Sequence, residues 1–207
     1  TLFNDVLDNP VGYFLGSIVS ITKQIDIPNS ILQSEIIDGQ QRITTISILF
    51  IAIHKRIDEL LSETSDELVK EEQSSIINQI KDRLTILRKK QIKLIPLEEK
   101  NNRNDYYNLL NKHGIFKQEI NVKNSGNRKI ERAYKYFYNR LKNMSYNEVR
   151  SFYERLCDCT VITIEVDTLT NAFIIFETLN FRGAPLTIVD LLKVIYFKTA
   201  AKEDCPE

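Results

Sequence analysis

The chain has no tryptophan, only two histidines and three cysteines, and no net charge. Three cysteines, Cys157, Cys159 and Cys205, are too few for a disulfide framework and fit a reducing compartment. Cys157-x-Cys159 is shorter than the usual zinc knuckle, and only His54 and His113 stand by to complete a metal set. Lys plus Arg equals Asp plus Glu at 28 each, so no global basic field advertises nucleic acid and any DNA contact must come from a local patch. No charge-free run approaches the roughly 18–20 residues that a membrane span requires, and the first residues carry no basic-then-apolar leader. We expect a soluble, cytoplasmic protein. There is no internal repeat or low-complexity stretch, and 43% apolar content across 207 residues is enough for a sizeable core.

The stretch around which the rest is arranged runs from Ser34 to Phe50, S-E-I-I-D-G-Q-Q-R-I-T-T-I-S-I-L-F. Ile36 and Ile37 suit a strand, Asp38-Gly39 is turn chemistry, and Ile43, Ile46, Phe50 and Ile53 recur at helical spacing. The first N–H groups of a helix lack partners within it, and the aligned peptide dipoles place partial positive charge there. An anion is therefore welcome at Gln40–Arg42. Gly39 lets the backbone approach closely, Arg42 offers a planar fork for phosphate, and Asp38 either caps the helix or holds a metal. By itself, Asp-Gly before a helix more often marks an ordinary cap. The apolar residues from Ile43 to Ile53 cover most of the helix circumference, however, and a buried helix must satisfy the polar groups of Gln40, Gln41, Arg42, Thr44 and Thr45 at its mouth.

In chain order, Thr1 to Asn9 reads as the end of a helix closed by Pro10 and Tyr13 to Ile21 as a strand, with Gly16 marking a bulge or a close approach of backbone or ligand; Gly16 and Ser17 are secondary site candidates. Gln33 to Ile37 gives the next strand, most simply antiparallel to the first. The signature helix extends from Gln40 to about Leu61, and a charged helix from Asp66 to about Lys90 forms a hairpin with it. Ile92 to Leu97 is a short extended piece that Pro96 keeps from being a central strand. Helices follow at Asn101–Asn111 and Arg128–Leu141, where the spacing of Tyr134, Phe137, Tyr138 and Leu141 points to core packing rather than base stacking. Ser145-x-x-Glu148 is a capping box for a helix to about Cys157, and Val161 to Val166 is the clearest strand, expected in the same small sheet. The class is α+β, a mostly helical single domain with a small sheet.

A second block, Thr170 to Phe197, begins with a helix whose Ala172, Phe173, Phe176 and Leu179 face inward. Glu177 and Asn180 lie one turn apart, as do Asp190 and Lys193, with the turn Asn180-Phe181-Arg182-Gly183 between them. Read alone, this is an interhelix turn with a surface ion pair.

I-I-D-G-Q-Q-R-I-T-T at Ile36–Thr45 and I-F-E-T-L-N-F-R-G-A-P-L-T-I-V-D-L-L-K-V-I-Y-F at Ile175–Phe197, with Y-F-L-G-S-I-V at Tyr13–Val19 ahead of them, resemble the hallmarks of GmrSD-type restriction endonuclease N-terminal domains, a family related to ParB and sulfiredoxin. The resemblance implies one ParB-like domain over residues 1–207. It also implies that a first strand segment and any C-terminal nuclease domain of the His-Asn-His type lie elsewhere.

The implied role is a nucleotide-binding, NTP-hydrolysing regulatory domain of a modification-dependent anti-phage restriction system, with Mg²⁺ and an NTP as its ligands. In this reading Asp38, Gln41, Arg42 and Glu177 are catalytic, and Asp38 and Glu177 hold the metal. Gly39, Gln40, Arg42, Thr44, Thr45, Asn180, Arg182, Gly183 and Lys193 bind phosphate or nucleotide, and Asp190 is secondary. The Gly-x-x-x-x-Gly-Lys loop of P-loop enzymes is not present. Expected partners are DNA, through the full-length protein or its complex, and a nuclease domain or subunit, with no membrane. Two other readings stand beside this one: a non-catalytic ParB-like DNA-binding module with a local basic face at Arg128, Lys129, Arg132 and Lys135, and a metal-dependent DNA-nicking domain.

Overall fold

The structure, a computed structural model, describes residues 1–23, 33–86, 90–96, 102–117 and 128–180. Their contacts divide the chain into two compact units. One comprises Thr1–Tyr13 and Gln41–Cys159; the other comprises Phe14–Gln40 and the chain from Thr160 onward.

The second unit is built on a three-stranded sheet of β1 (Phe14–Lys23), β2 (Gln33–Asp38) and β5 (Thr160–Val166), in the order β2-β1-β5. β1 pairs antiparallel with β2, as the sequence suggests, and β5 joins the same sheet as expected, running parallel to β1, a direction the sequence did not indicate. Parallel neighbours need a long crossover, and here the whole helical stretch from Gln40 to Asp158 lies between β2 and β5 in sequence. The irregularity expected at Gly16 is present: the register with β5 shifts between Phe14 and Gly16, where Gly16 takes φ +109°. A side chain there would strain the backbone, which is why glycine occupies the bulge. α7 (Leu169–Asn180) packs on β1 and β5. Ala172 is buried and Phe173 and Phe176 are half-buried. Leu179, expected to face inward, is 41% exposed. Helical spacing places it on the face of Ala172, but spacing does not reveal how far the surface beneath extends.

The first unit is helical. α1 (Leu2–Asp8), α2 (Gln40–Glu63), α3 (Glu67–Leu84), α4 (Asn102–Lys112), α5 (Lys129–Leu141) and α6 (Tyr146–Asp158) share one apolar cluster. Ser47 to His54 are buried without interruption, so the middle of α2 is enclosed on every side. Asp66 caps α3 by accepting from the N–H groups of Leu68 and Val69. α3 stops at Leu84, short of the expected Lys90. Thr85 and Ile86 are β-branched and form β3 (Thr85–Ile86), paired antiparallel with β4 (Gln91–Ile92). The capping box of α6 is formed as read: the Glu148 carboxylate accepts from the N–H and the hydroxyl of Ser145 at 2.7 Å each. Arg155 donates to the carbonyls of Val6, Leu7 and Asn9, filling the acceptors that the end of α1 leaves open. Among the described residues no helix is long and apolar enough to cross a membrane.

Candidate functional site

β2 ends at Asp38, which sits opposite Val19 of β1. Gly39 then takes φ +86°, a conformation most side chains resist, and this single residue turns the chain from strand into helix. α2 begins at Gln40 and runs 24 residues with no acidic residue in its first turn. The positive end of its dipole is therefore not offset by a carboxylate of that turn. Gln40 folds back, its Nε2 donating to the Ile36 carbonyl at 2.6 Å, and the Thr45 hydroxyl donates to the Gln41 carbonyl at 2.6 Å.

The sequence suggested that burial of this helix would force a ligand onto its mouth, and that argument does not hold. Gln40 and Gln41 are exposed, Arg42, Thr44 and Thr45 are half-buried, and full burial starts only at Ser47. Water reaches the first turn and can satisfy its polar groups. The turn remains suited to an anion by its geometry, without being compelled to hold one.

Chain continuity gathers Asp38, Gly39, Gln40, Gln41 and Arg42 into one strand–turn–helix. Glu177 is half-buried in α7, and Asn180 is that helix's last residue. Arg182, Gly183, Asp190 and Lys193 lie outside the described residues. Gly16 and Ser17 sit opposite Val161 and Ile162 of β5. α7 packs on β1 and β5, and β1 pairs with β2, the strand that ends in Asp38. No group of three His, Cys, Asp or Glu side chains able to hold a metal is found among the described residues. Cys157 and Cys159 are free and half-buried, and burial raises both thiols above their ordinary pKa.

Sequence reasoning weighed both histidines as spare metal ligands and missed their surroundings. His54 is 3% exposed, and among the described residues neither of its ring nitrogens nor the buried Nε2 of His113 has a hydrogen-bond partner. Burial pushes His54 down to about 4, helped by Lys81, His113 and Lys55 and opposed by Asp58. His113, its ring tilted against that of Tyr134 with centroids 4.5 Å apart, is also held at about 4, first by burial and then by Lys112 and Lys55. The available signal was position: His54 closes the same uninterrupted run that buries the middle of α2.

A search of curated proteins finds no match to this chain. A family model described as the GmrSD restriction endonuclease N-terminal domain, by contrast, matches residues 1–197, a span that contains both the Asp38–Arg42 turn and the second motif. The chain belongs to the GmrSD restriction endonuclease N-terminal domain family.

Proposed function

We propose that this domain binds a nucleoside triphosphate at the Asp38–Arg42 turn and hydrolyses it with Mg²⁺, as the regulatory part of a restriction system. The observation that carries the reading is the Gly39 turn, which delivers the N-terminus of a 24-residue helix, free of acidic residues in its first turn, directly after a strand ending in a carboxylate. The amides of Gln41 and Arg42 would meet phosphate oxygens, the Arg42 guanidinium would neutralise charge, and Thr44 would add a hydroxyl at the same end, as would Thr45 on turning its hydroxyl away from the Gln41 carbonyl.

The donor set suits Mg²⁺ better than a metal with an all-protein cage. Mg²⁺ keeps several waters and takes one or two carboxylates plus the substrate's own phosphates, so Asp38, joined by Glu177, suffices without a third ligand. When bound, the ion would offset charge on the phosphates. In hydrolysis, a water oxygen bonds to the terminal phosphorus as the bridging P–O bond breaks, with Gln41 orienting the water and Asp38 accepting a proton. In this reading Asn180, Arg182, Gly183 and Lys193 of the second motif supply further phosphate-binding groups.

The test is phosphate release from a panel of NTPs with Mg²⁺, comparing the wild type with Asp38→Ala and Arg42→Ala. We expect wild-type turnover that each substitution lowers by at least about 100-fold while the circular dichroism spectrum is unchanged. Turnover that survives both substitutions would remove the chemistry from this turn.

A further inference from the structure

The overall charge is zero, yet one helix concentrates charge of a single sign. Successive residues of an α-helix are about 100° apart, so Arg128, Arg132, Lys135, Asn139 and Lys142 fall within a sector of about 80° on α5 and its two caps. All five are exposed. They form a straight stripe about 21 Å long, at 1.5 Å per residue. The opposite face carries Ile130, Tyr134, Phe137 and Leu141, all buried in the core, so the stripe is held rigidly toward solvent.

Glu131 is the single carboxylate on this helix, and its side chain pairs with Lys135 at 3.0 Å. Lys135 foremost holds that carboxyl below its usual range, and Lys112 at the end of α4 and Arg128 add to the effect. The stripe thus has a fifth cation beside it and stays strongly positive after the internal pair is subtracted. Arg140 is not part of it. Its guanidinium lies 5.0 Å over the Phe3 ring and donates to Asn4, tying α5 to α1.

We propose that this face of α5 is a docking surface for the sugar–phosphate backbone of DNA. A line of separated cations matches a line of regularly spaced phosphates, and Asn139 supplies an uncharged donor for a phosphate oxygen. A membrane is the poorer fit, because an interfacial helix must offer a broad apolar face to lipid, and on α5 Ile130, Tyr134, Phe137 and Leu141 are spent on the core, which leaves Tyr136 as the one large exposed apolar side chain of the helix. The inference rests on the chain's place in a restriction endonuclease family for the identity of the polyanion, and not on nucleotide hydrolysis. The contact is predicted to be sequence-independent, positioning the domain on the duplex.

Binding of the full chain to a fluorescein-labelled duplex of arbitrary sequence, followed by anisotropy between about 50 and 200 mM salt, reads the number of phosphate contacts directly. The quadruple variant Arg128→Gln, Arg132→Gln, Lys135→Gln, Lys142→Gln should lower the slope of log K against log salt by about 3 to 4, and Arg132→Gln or Lys142→Gln alone by about 0.9 each. The single variants keep the test decisive if the quadruple variant does not fold. Lys70→Gln on α3 should leave the slope unchanged. A wild-type chain that fails to bind the duplex, or a quadruple variant that keeps the wild-type slope, overturns the proposal. So does preferential binding to phosphatidylserine vesicles or to polyglutamate that is lost in the same variant, which would assign the stripe to another polyanion. Phosphate release measured on the same proteins separates the two ideas. A quadruple variant that loses DNA while hydrolysing NTP at the wild-type rate supports docking independently, and turnover with an unchanged salt slope retains the nucleotide site while rejecting this surface.

Discussion

The helical unit and the sheet unit solve the burial problem to different depths. In the helical unit Leu49, Ile51, Ile53, Ile57 and Ile80 have no exposed surface at all, and aromatic pairs such as Phe3 against Phe152, 4.5 Å between ring centres, fill the space between helices. In the sheet unit the buried apolar residues among those described are Ile18, Val19 and Ala172, while Phe14 is 50% and Ile162 52% exposed. The sheet unit carries Asp38 and Glu177; the helical unit carries most of the packing. The contrast is the usual division between a region that supplies stability and one that leaves its surface accessible.

The largest effect should come from testing that division with two isoleucines. Ile53→Ala in α2 removes a fully buried side chain and should cost about 2–5 kcal/mol in urea unfolding. Ile162→Ala in β5 should cost less than about 1 kcal/mol, since half of that side chain already faces solvent. Equal losses at the two positions would end the distinction.

Acid should separate the units next. Both histidines of the chain lie in the helical unit, each held neutral to about pH 4 against an ordinary value of 6.5. Above pH 6.5 folded and unfolded chains alike hold neutral rings, and the stability is present in full. As the pH falls from 6.5 toward 4 the unfolded chain takes up protons that the folded chain refuses, so stability falls; below about 4 both states are protonated and the loss levels off. For His54 alone the full loss is about 3 kcal/mol. The expected observation is a urea midpoint that drops between pH 6.5 and 5, above the range of ordinary carboxylates, and drops less in His54→Gln. A wild-type midpoint that is flat over that interval would mean that the ring nitrogens are reached by water after all.

What was legible in the sequence was what is local. The capping box at Ser145 and Glu148, the Asp66 cap, the antiparallel β1–β2 pair and the bulge at Gly16 each depend on residues close in sequence, or on one residue's backbone preference. The end of α3 was misread because Ile76, Ile77, Ile80 and Leu84 make a helical pattern that Leu87 would continue, while Thr85 and Ile86 favour the strand that pairs with β4. Burial was legible only as an average: the spacing of Ile43 to Ile53 marks an enclosed helix but does not locate Ser47, where enclosure begins, or mark His54 as enclosed with the rest. At the candidate site the Asp38–Arg42 turn could be read from five consecutive residues. The proposed approach of Glu177 to that turn would be a long-range placement, which no local pattern encodes.

The smallest predicted effect compares one helix cap from each unit. Asp66 accepts from the first-turn amides of α3, and the Thr168 hydroxyl accepts from the Asn171 N–H at the start of α7, at 3.2 Å. Asp66→Ala and Thr168→Ala remove the same kind of interaction, each worth about 1 kcal/mol. The loss should be read differently in the two places. α3 opens only when the packed cluster around Ile76, Ile77 and Ile80 opens, so Asp66→Ala should lower the global unfolding midpoint. α7 rests on less buried apolar surface among the described residues, so Thr168→Ala should act by local opening, speeding exchange of the α7 amides by roughly fivefold while leaving those of α3 unchanged. Exchange that quickens equally in both helices under either substitution would show that the two caps report on one cooperative structure, and would confine the difference between the units to surface exposure.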